Sequence, residues 1–405
     1  MKKYVIVGAS YRCYAMFVAN LTEKYKDTVA LTGVYDINRH RAEFFRQKIG
    51  ANCTVYDSFE KMLNEEKPDG VLVTTNDRFH HEYIVRALDM GYDVISEKPL
   101  TNTYERCLAV REAEKRSGRR VKVTFNCRFM PHFLEIKKLL CANKIGKVLA
   151  VNYEYYLNRW HGGDYFKRWH RLMENSQGML LHKSTHHFDI INWFLEDEPV
   201  KVAALGNRVF YADSDKCHGE RCSQCSFADR CESSHSPSAD VDKDLYFEAE
   251  KEDGYIRDRC CYRPDSDIND NMSVSVLYKK GTILTYSLNL FSVREGYRLT
   301  LTGEKGVLEL NEVKLGDHED DSFQINLYYC DGTSETVSVQ KGTGMHLGGD
   351  EKMISMLFGE ENEDHYNQCA DSFAGVVSAM IGVAGNMSIE KNETIDLSQY
   401  LDTLR

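Results

Sequence analysis

The chain has 405 residues, 42% of them hydrophobic and 28% charged, with a formal net charge of -11. That length suits two domains, because single cores seldom grow beyond roughly 250 to 300 residues. The acidic balance argues against nucleic acid or an anionic membrane as partner, since both call for a basic face, and leaves small molecules.

The N-terminal MKKYVIVGASY carries too short an apolar run for a signal peptide. The sequence offers no stretch near the roughly 20 apolar residues that cross a bilayer. Thirteen cysteines without an export signal fit a reducing compartment, so a soluble, cytoplasmic protein is expected.

Apolar runs at Tyr4–Val7, Val29–Tyr35, Gly70–Thr74, Asp93–Ile95 and Val121–Val123 alternate with helix-length amphipathic segments. Such alternation predicts a doubly wound parallel sheet. The first turn reads Gly8, Ala9, Ser10, Tyr11, Arg12, Cys13 and keeps only the first glycine of GxGxxG. Ser10 still lets backbone amides approach a pyrophosphate, and Cys13 is small enough for close helix packing. The second strand ends at Asp36, placed to accept hydrogen bonds from an adenosine ribose, which favours NAD. Arg39 or Arg41 could offset a 2′-phosphate, so NADP stays open. In TTNDRFHHEY, residues Thr74, Thr75, Asn76 and His80 stand where they would line the ribose and nicotinamide side.

In VISEKPL, from Val94 to Leu100, a strand stops at Ser96, Glu97 and Lys98 follow, and Pro99 restrains the backbone. Thr101 can cap the next helix. Lys98 thus sits at the carboxyl edge of the sheet, where ligands bind, and the nearby helix N-terminus lowers its pKa.

With this turn, Asp36, TTNDRFHH and SEKPL in this order, the chain resembles the Gfo/Idh/MocA family of nicotinamide-dependent oxidoreductases. The resemblance implies a Rossmann domain over residues 1–125. It also implies a substrate-binding and oligomerisation domain over 126–405, an open, largely antiparallel sheet with helices on one face. A sugar or cyclitol site would lie between them. Tyr11, Arg12, Glu97, Lys98, Asn126 and Arg128 join the implied cofactor contacts.

In the second domain GMLLHKSTHHFDIINWF, Gly178 to Phe194, has helical periodicity, with His182 and His186 four apart on one face. The family's segment has the form GGxLxDxGxHxxD, which aligns Gly178, His182, His186 and Asp189. His182 therefore replaces the usual aspartate, and a neighbouring imidazole lowers the basicity of His186. The implied roles are His186 as general acid/base, Lys98 as proton donor or clamp on the same oxygen, and His182 as orienting partner. An HxxxH metal pair is the weaker alternative, because no glutamate accompanies it and Lys183 repels a cation.

The loop RWHGGDYFKRWHR, Arg159 to Arg171, offers His161, Tyr165, Arg168 and Trp169 as a sugar wall, since aromatic faces stack on C–H surfaces. Lys98, Lys183, His186 and His187 complete the expected substrate contacts.

An insertion at about 211–270 carries Cys217, Cys222, Cys225 and Cys231 in CHGERCSQCSFADRC. Four thiols this close resemble a structural zinc site, with an iron-sulfur cluster, free thiols or an adventitious disulfide as alternatives. Cys260 and Cys261 could contribute, and the loop could form a lid or subunit contact. From Met272 alternating strands resume, and an antiparallel sheet with one free face predicts a homo-oligomer, dimer or tetramer. His346 and Asp350 precede a helix near the substrate pocket, and Ala370–Met387 reads as a buried helix.

The expected activity is NAD(P)-dependent hydride transfer between nicotinamide and a hydroxyl-bearing carbon of a sugar, sugar derivative or cyclitol. Two alternatives stand beside it: a redox-assisted glycosidase, and a non-catalytic NAD-binding regulator.

Overall fold

The computed structural model describes residues 1–235, 240–314, 321–359 and 363–405. Residues 236–239 of the insertion lie outside the described residues.

Two sheets organise the chain. The first has seven strands in the order β15-β6-β5-β4-β1-β2-β3. They are β1 (Lys2–Val7), β2 (Val29–Tyr35), β3 (Thr54–Val55), β4 (Gly70–Val73), β5 (Asp93–Ser96), β6 (Val121–Val123) and β15 (Ala370–Asp371). All pair in parallel except β15, which lies antiparallel to β6. Helices cover both faces, which is why Val5, Ile6 and Val7 run apolar without alternation and are all buried. The two-residue strands β3 and β15 close the edges, and neither is long enough to leave a periodic signal in the sequence.

The second sheet has nine strands in the order β14-β13-β12-β11-β7-β10-β9-β8-β16. Its members are β7 (Val148–Asn158), β8 (Pro199–Asn207), β9 (Asn271–Tyr278), β10 (Ile283–Ser292), β11 (Glu295–Gly303), β12 (Gly306–Lys314), β13 (Ser322–Tyr329), β14 (Ser334–Gln340) and β16 (Ile395–Asp396). Only β7 and β10 run parallel. Along β9, Met272, Val274, Val276 and Tyr278 point inward while the residues between them face out. The inner face packs on the helices Thr185–Leu195 and Ser372–Lys391. The outer face carries exposed Leu205 and Ile283.

Four local expectations change. Helix Ser372–Lys391, with 20 residues, is apolar enough to cross a membrane by length and composition, yet 67% of its apolar window is buried inside the fold. Over Arg159–Arg171 the structure has a helix, Arg159–Lys167, rather than a loop; the Asn158 side chain caps it by accepting from the His161 amide. Gly162 there marks close approach, not a turn: a Cβ would stand 1.8 Å from the Leu290 carbonyl oxygen. The segment from Gly178 breaks into two helices, Met179–His182 and Thr185–Leu195, with Ser184 Oγ donating to the Met179 carbonyl at the junction. Thr103 rather than Thr101 caps the helix Tyr104–Ser117, accepting from the Arg106 amide.

Candidate functional site

A cavity of about 360 Å³ opens at the carboxyl edge of β1, β2 and β4. Gly8, Ala9, Ser10, Asp36, Thr74, Thr75 and Asn76, all expected at the cofactor, line it. Gly8 has φ +92°, and a Cβ there would come within 2.6 Å of the Thr75 amide nitrogen, so only glycine lets the two strand ends approach. Ser10 caps the following helix by accepting from the Cys13 amide. Asp36 accepts from the amides of Ala9 at 2.6 Å and Asn38 at 2.7 Å. Burial raises its pKa, with Arg41 opposing. A glycine cradle at a helix start and an acid at the next strand end fit a dinucleotide, pyrophosphate on the amides and ribose on Asp36.

The cavity's outer wall comes from the insertion. Tyr246, Asp253 and Tyr255 line it, although they lie more than a hundred residues from the sheet in sequence. The Tyr11 amide donates to Tyr246 Oη at 2.8 Å, and Asn38 Nδ2 donates to the Ala249 carbonyl at 2.9 Å. Arg41 bridges Asp36 and Asp253. Nothing in the sequence pattern signals this contact.

Several predicted cofactor residues brace the site without lining it. Arg39 is exposed and pairs with Asp57 and Glu43; Arg41 takes the inner position instead because it faces Asp36. His80 is buried with its ring nitrogens on the carbonyls of Pro99 (2.8 Å) and Thr75 (3.0 Å), so it ties two strand-end turns together. Arg12 binds Glu97 and Asp350, and Asp350 also accepts from Asn126 and contacts His346. Arg128 makes a paired contact with Asp189 through both carboxylate oxygens, at 2.8 and 2.7 Å. Asp189 is thereby committed to a structural ion pair.

At the domain junction Lys98 Nζ donates to the His182 carbonyl oxygen at 3.1 Å. Burial lowers the lysine pKa, with Asp77 and Glu97 opposing. The direction agrees with the sequence argument, but desolvation is the leading cause. Asp77 begins the turn Asp77–Phe79 after β4, and its Oδ2 meets His182 Nδ1 at 2.6 Å. Burial raises the Asp77 carboxyl well above the carboxylate range, with the Lys98 ammonium opposing. Burial likewise holds His182 and His186 well below the usual imidazole range, reinforced by Lys98. Asp77 was not among the expected site residues, although an acid at a strand end is a legible signal.

Around this junction lie the predicted substrate contacts. Tyr165, Trp169 and His170 surround the His182 ring, with centroids at 5.8, 5.5 and 4.3 Å. Trp169 also lines the dinucleotide cavity. His161 Nδ1 pairs with Glu295 at 2.8 Å, and its Nε2 lies 3.3 Å from Tyr165 Oη. His186 Nδ1 contacts Cys127 Sγ at 3.5 Å, whereas His187 Nδ1 is taken by Tyr286 Oη at 2.8 Å. Lys183 sits over the Tyr155 ring at 5.5 Å. Arg168 folds back on Asp164.

The predicted zinc quartet needs correction. Among the described residues no three His, Cys, Asp or Glu side chains converge as ligands of one ion. A single zinc draws its sulfurs to about 2.3 Å. Cys217 instead interacts with Cys260, and Cys222, Cys225 and Cys231 line a separate void with Cys260 and Cys261. None of these cysteines is joined in a disulfide among the described residues.

A parallel sheet with a glycine cradle, followed by an open, largely antiparallel sheet, is the architecture of an NAD-binding oxidoreductase. The chain belongs to the Gfo/Idh/MocA family. Residues 2–125 match its model for an oxidoreductase family, NAD-binding Rossmann fold, and residues 137–326 match that for the C-terminal alpha/beta domain. The chain is 33% identical to YteT of Bacillus subtilis (strain 168), over 98% of both chains. It is 27% identical to an inositol 2-dehydrogenase/D-chiro-inositol 3-dehydrogenase of Lactiplantibacillus plantarum, over 43% of this chain and 47% of that one. The structure of myo-inositol 2-dehydrogenase from Lactobacillus plantarum shares the fold, with a TM-score of 0.65 at 15% identity over 98% of this chain and 99% of that one.

Proposed function

We propose that the chain oxidises a carbinol carbon of a sugar, sugar derivative or cyclitol with bound NAD, and that Asp77, His182 and Lys98 manage the hydroxyl proton. One observation carries this: the 2.6 Å contact between Asp77 and His182, with Lys98 Nζ on the His182 carbonyl, beside a cavity that Trp169, Thr75 and Asn76 line. When bound, the nicotinamide accepts and returns the hydride at its C4.

The residues divide the remaining work. Asp77 fixes the His182 ring through Nδ1 and, in the ionised form that the Lys98 ammonium favours, leaves the Nε2 edge to take the hydroxyl proton. Lys98 stabilises the substrate oxygen as negative charge grows on it. The family's usual carboxylate before His186 is absent, and Asp77 supplies one from the other domain. His182 therefore takes the acid/base role expected of His186, with His186 alongside. Tyr165 and Trp169 offer apolar faces for ring C–H groups. The inositol dehydrogenase likeness supports a polyhydroxylated ring as substrate. Asp36 and Asp253 at the ribose end favour NAD over its 2′-phosphorylated form.

Redox-assisted glycoside cleavage is a second activity that one observation favours. The insertion residues Tyr246, Asp253 and Tyr255 cover the dinucleotide cavity, which suits a cofactor that is oxidised and restored in place. A panel of free sugars, cyclitols and glycosides, with and without NAD, separates the two. Stoichiometric NADH supports the dehydrogenase; aglycone release without net NADH supports the glycosidase. No turnover on any member of the panel, with NAD bound, would favour the regulator instead.

A further inference from the structure

The insertion contains a second site. Arg221 and Arg259 pair as an antiparallel bridge, with the Cys222 amide donating to the Asp258 carbonyl at 2.7 Å and the Cys260 amide to the Glu220 carbonyl at 3.0 Å. This pairing brings Cys222, Cys225 and Cys231 from one arm to Cys260 and Cys261 from the other, all facing one void. The void measures about 30 Å³, above the roughly 10 to 15 Å³ that houses one water. Cys217 stands at its margin, against Cys260.

An independent observation lies beneath. Lys167, the last residue of the helix Arg159–Lys167, is 1% exposed, and its Nζ has no hydrogen-bond partner among the described residues. Its electrostatic neighbours are Cys261, Cys222, Cys231 and Cys260. A buried amine with no hydrogen-bond partner costs free energy unless a negatively charged group lies beside it. Thiolates bound to metal carry net negative charge and supply that compensation. A mononuclear ion would gather sulfurs to one point, and these do not converge on one. Thiols that ring a void suit a polynuclear core, whose thiolate ligands lie on its outside.

We propose that the cysteines of the insertion hold an iron-sulfur cluster, with Lys167 as its buried counter-charge. The cluster fastens both arms of the insertion, and with them residues 242–258, which cover the dinucleotide cavity. This site is independent of the proposed substrate chemistry.

The test is anaerobic purification of the full chain, with iron, zinc and acid-labile sulfide measured per chain before and after reconstitution with ferrous iron and sulfide. Iron and sulfide in comparable amounts, with a broad visible charge-transfer band, are expected. Cys225→Ser and Cys231→Ser should each lose most of that iron, while Cys141→Ser, which lies outside the ring, keeps it. Circular dichroism of each variant shows whether it has folded. Zinc without sulfide, or neither metal after reconstitution of folded protein, would overturn the proposal.

Discussion

Asp77 reaches from the turn after β4 to His182 in the second domain, Oδ2 to Nδ1 at 2.6 Å, and both groups are buried. A carboxylate from one domain thus orients an imidazole from the other. Asp77→Asn should lower kcat/KM by roughly 100- to 10,000-fold, the range for general acid/base groups. Because the pair acts as a unit, Asp77→Asn combined with His182→Gln should cost no more than the worse single change. Steady-state kinetics on the substrate that the panel identifies check both, and full activity in Asp77→Asn would remove the dyad from the mechanism.

Lys98 works as the ammonium, and burial lowers its pKa. Activity should therefore fall as pH rises through that lowered value, before the ordinary lysine range. Lys98→Arg should carry the alkaline limb of the kcat/KM profile to higher pH, while Lys98→Met abolishes the limb along with most of the rate. An alkaline limb unmoved in Lys98→Arg would assign it to another group.

His132 is buried, Tyr297 Oη lies 2.6 Å from its Nε2, and desolvation pushes its pKa from 6.5 down to about 3. The unfolded chain then binds the extra proton between those values, so stability is complete above 6.5 and is lost as pH falls toward 3. This group alone contributes a slope of about 1.4 kcal/mol per pH unit. The stability difference between wild type and His132→Phe should shrink as urea titrations move from neutral pH to pH values below the unfolded pKa. A constant difference would mean that His132 titrates normally.

Asp36 and Asp253 flank Arg41 at the ribose end of the cavity. Asp253→Asn should weaken NAD binding modestly and improve NADP binding, moving the ratio of dissociation constants by about tenfold, equivalent to about 1.4 kcal/mol. Fluorescence titration with each dinucleotide measures the ratio, and an unchanged one would place Asp253 outside cofactor selection.

Gly162 packs its helix directly on β10, and a Cβ would meet the Leu290 carbonyl at 1.8 Å. Gly162→Ala should destabilise the fold by about 3 kcal/mol, the upper part of the usual overpacking range. Thermal melts report it. Gly254→Ala serves as comparison: it has open space around the site but φ +70°, so it should show only the smaller backbone penalty.

Much of the front half was legible because strand ends, a glycine turn and an acid follow one another at the spacing the chemistry requires. Gly8, Asp36 and Lys98 fall where that order puts them. Where the order is not local, the sequence carries no such signal. Arg41 rather than Arg39 faces Asp36 because the helix turns it inward, and His182 finds its carboxylate 105 positions away in sequence. The break at Ser184 also escaped helical periodicity, since Leu181, Phe188 and Ile191 are buried on both sides of it. Tyr246 and Asp253 carry no motif, and only the return path of the insertion brings them to the dinucleotide cavity.

The short strand Ala370–Asp371, drawn from near the C-terminus, pairs with Val121–Val123 at the rim of the front sheet, while residues from the insertion finish the opposite rim of its cavity. Dissection at residue 125 would thus leave the front fragment with one edge unpaired and its pocket missing a wall. Melting of the intact chain should accordingly follow one cooperative step, and a recombinant fragment of the first 125 residues should bind dinucleotide far more weakly than the whole.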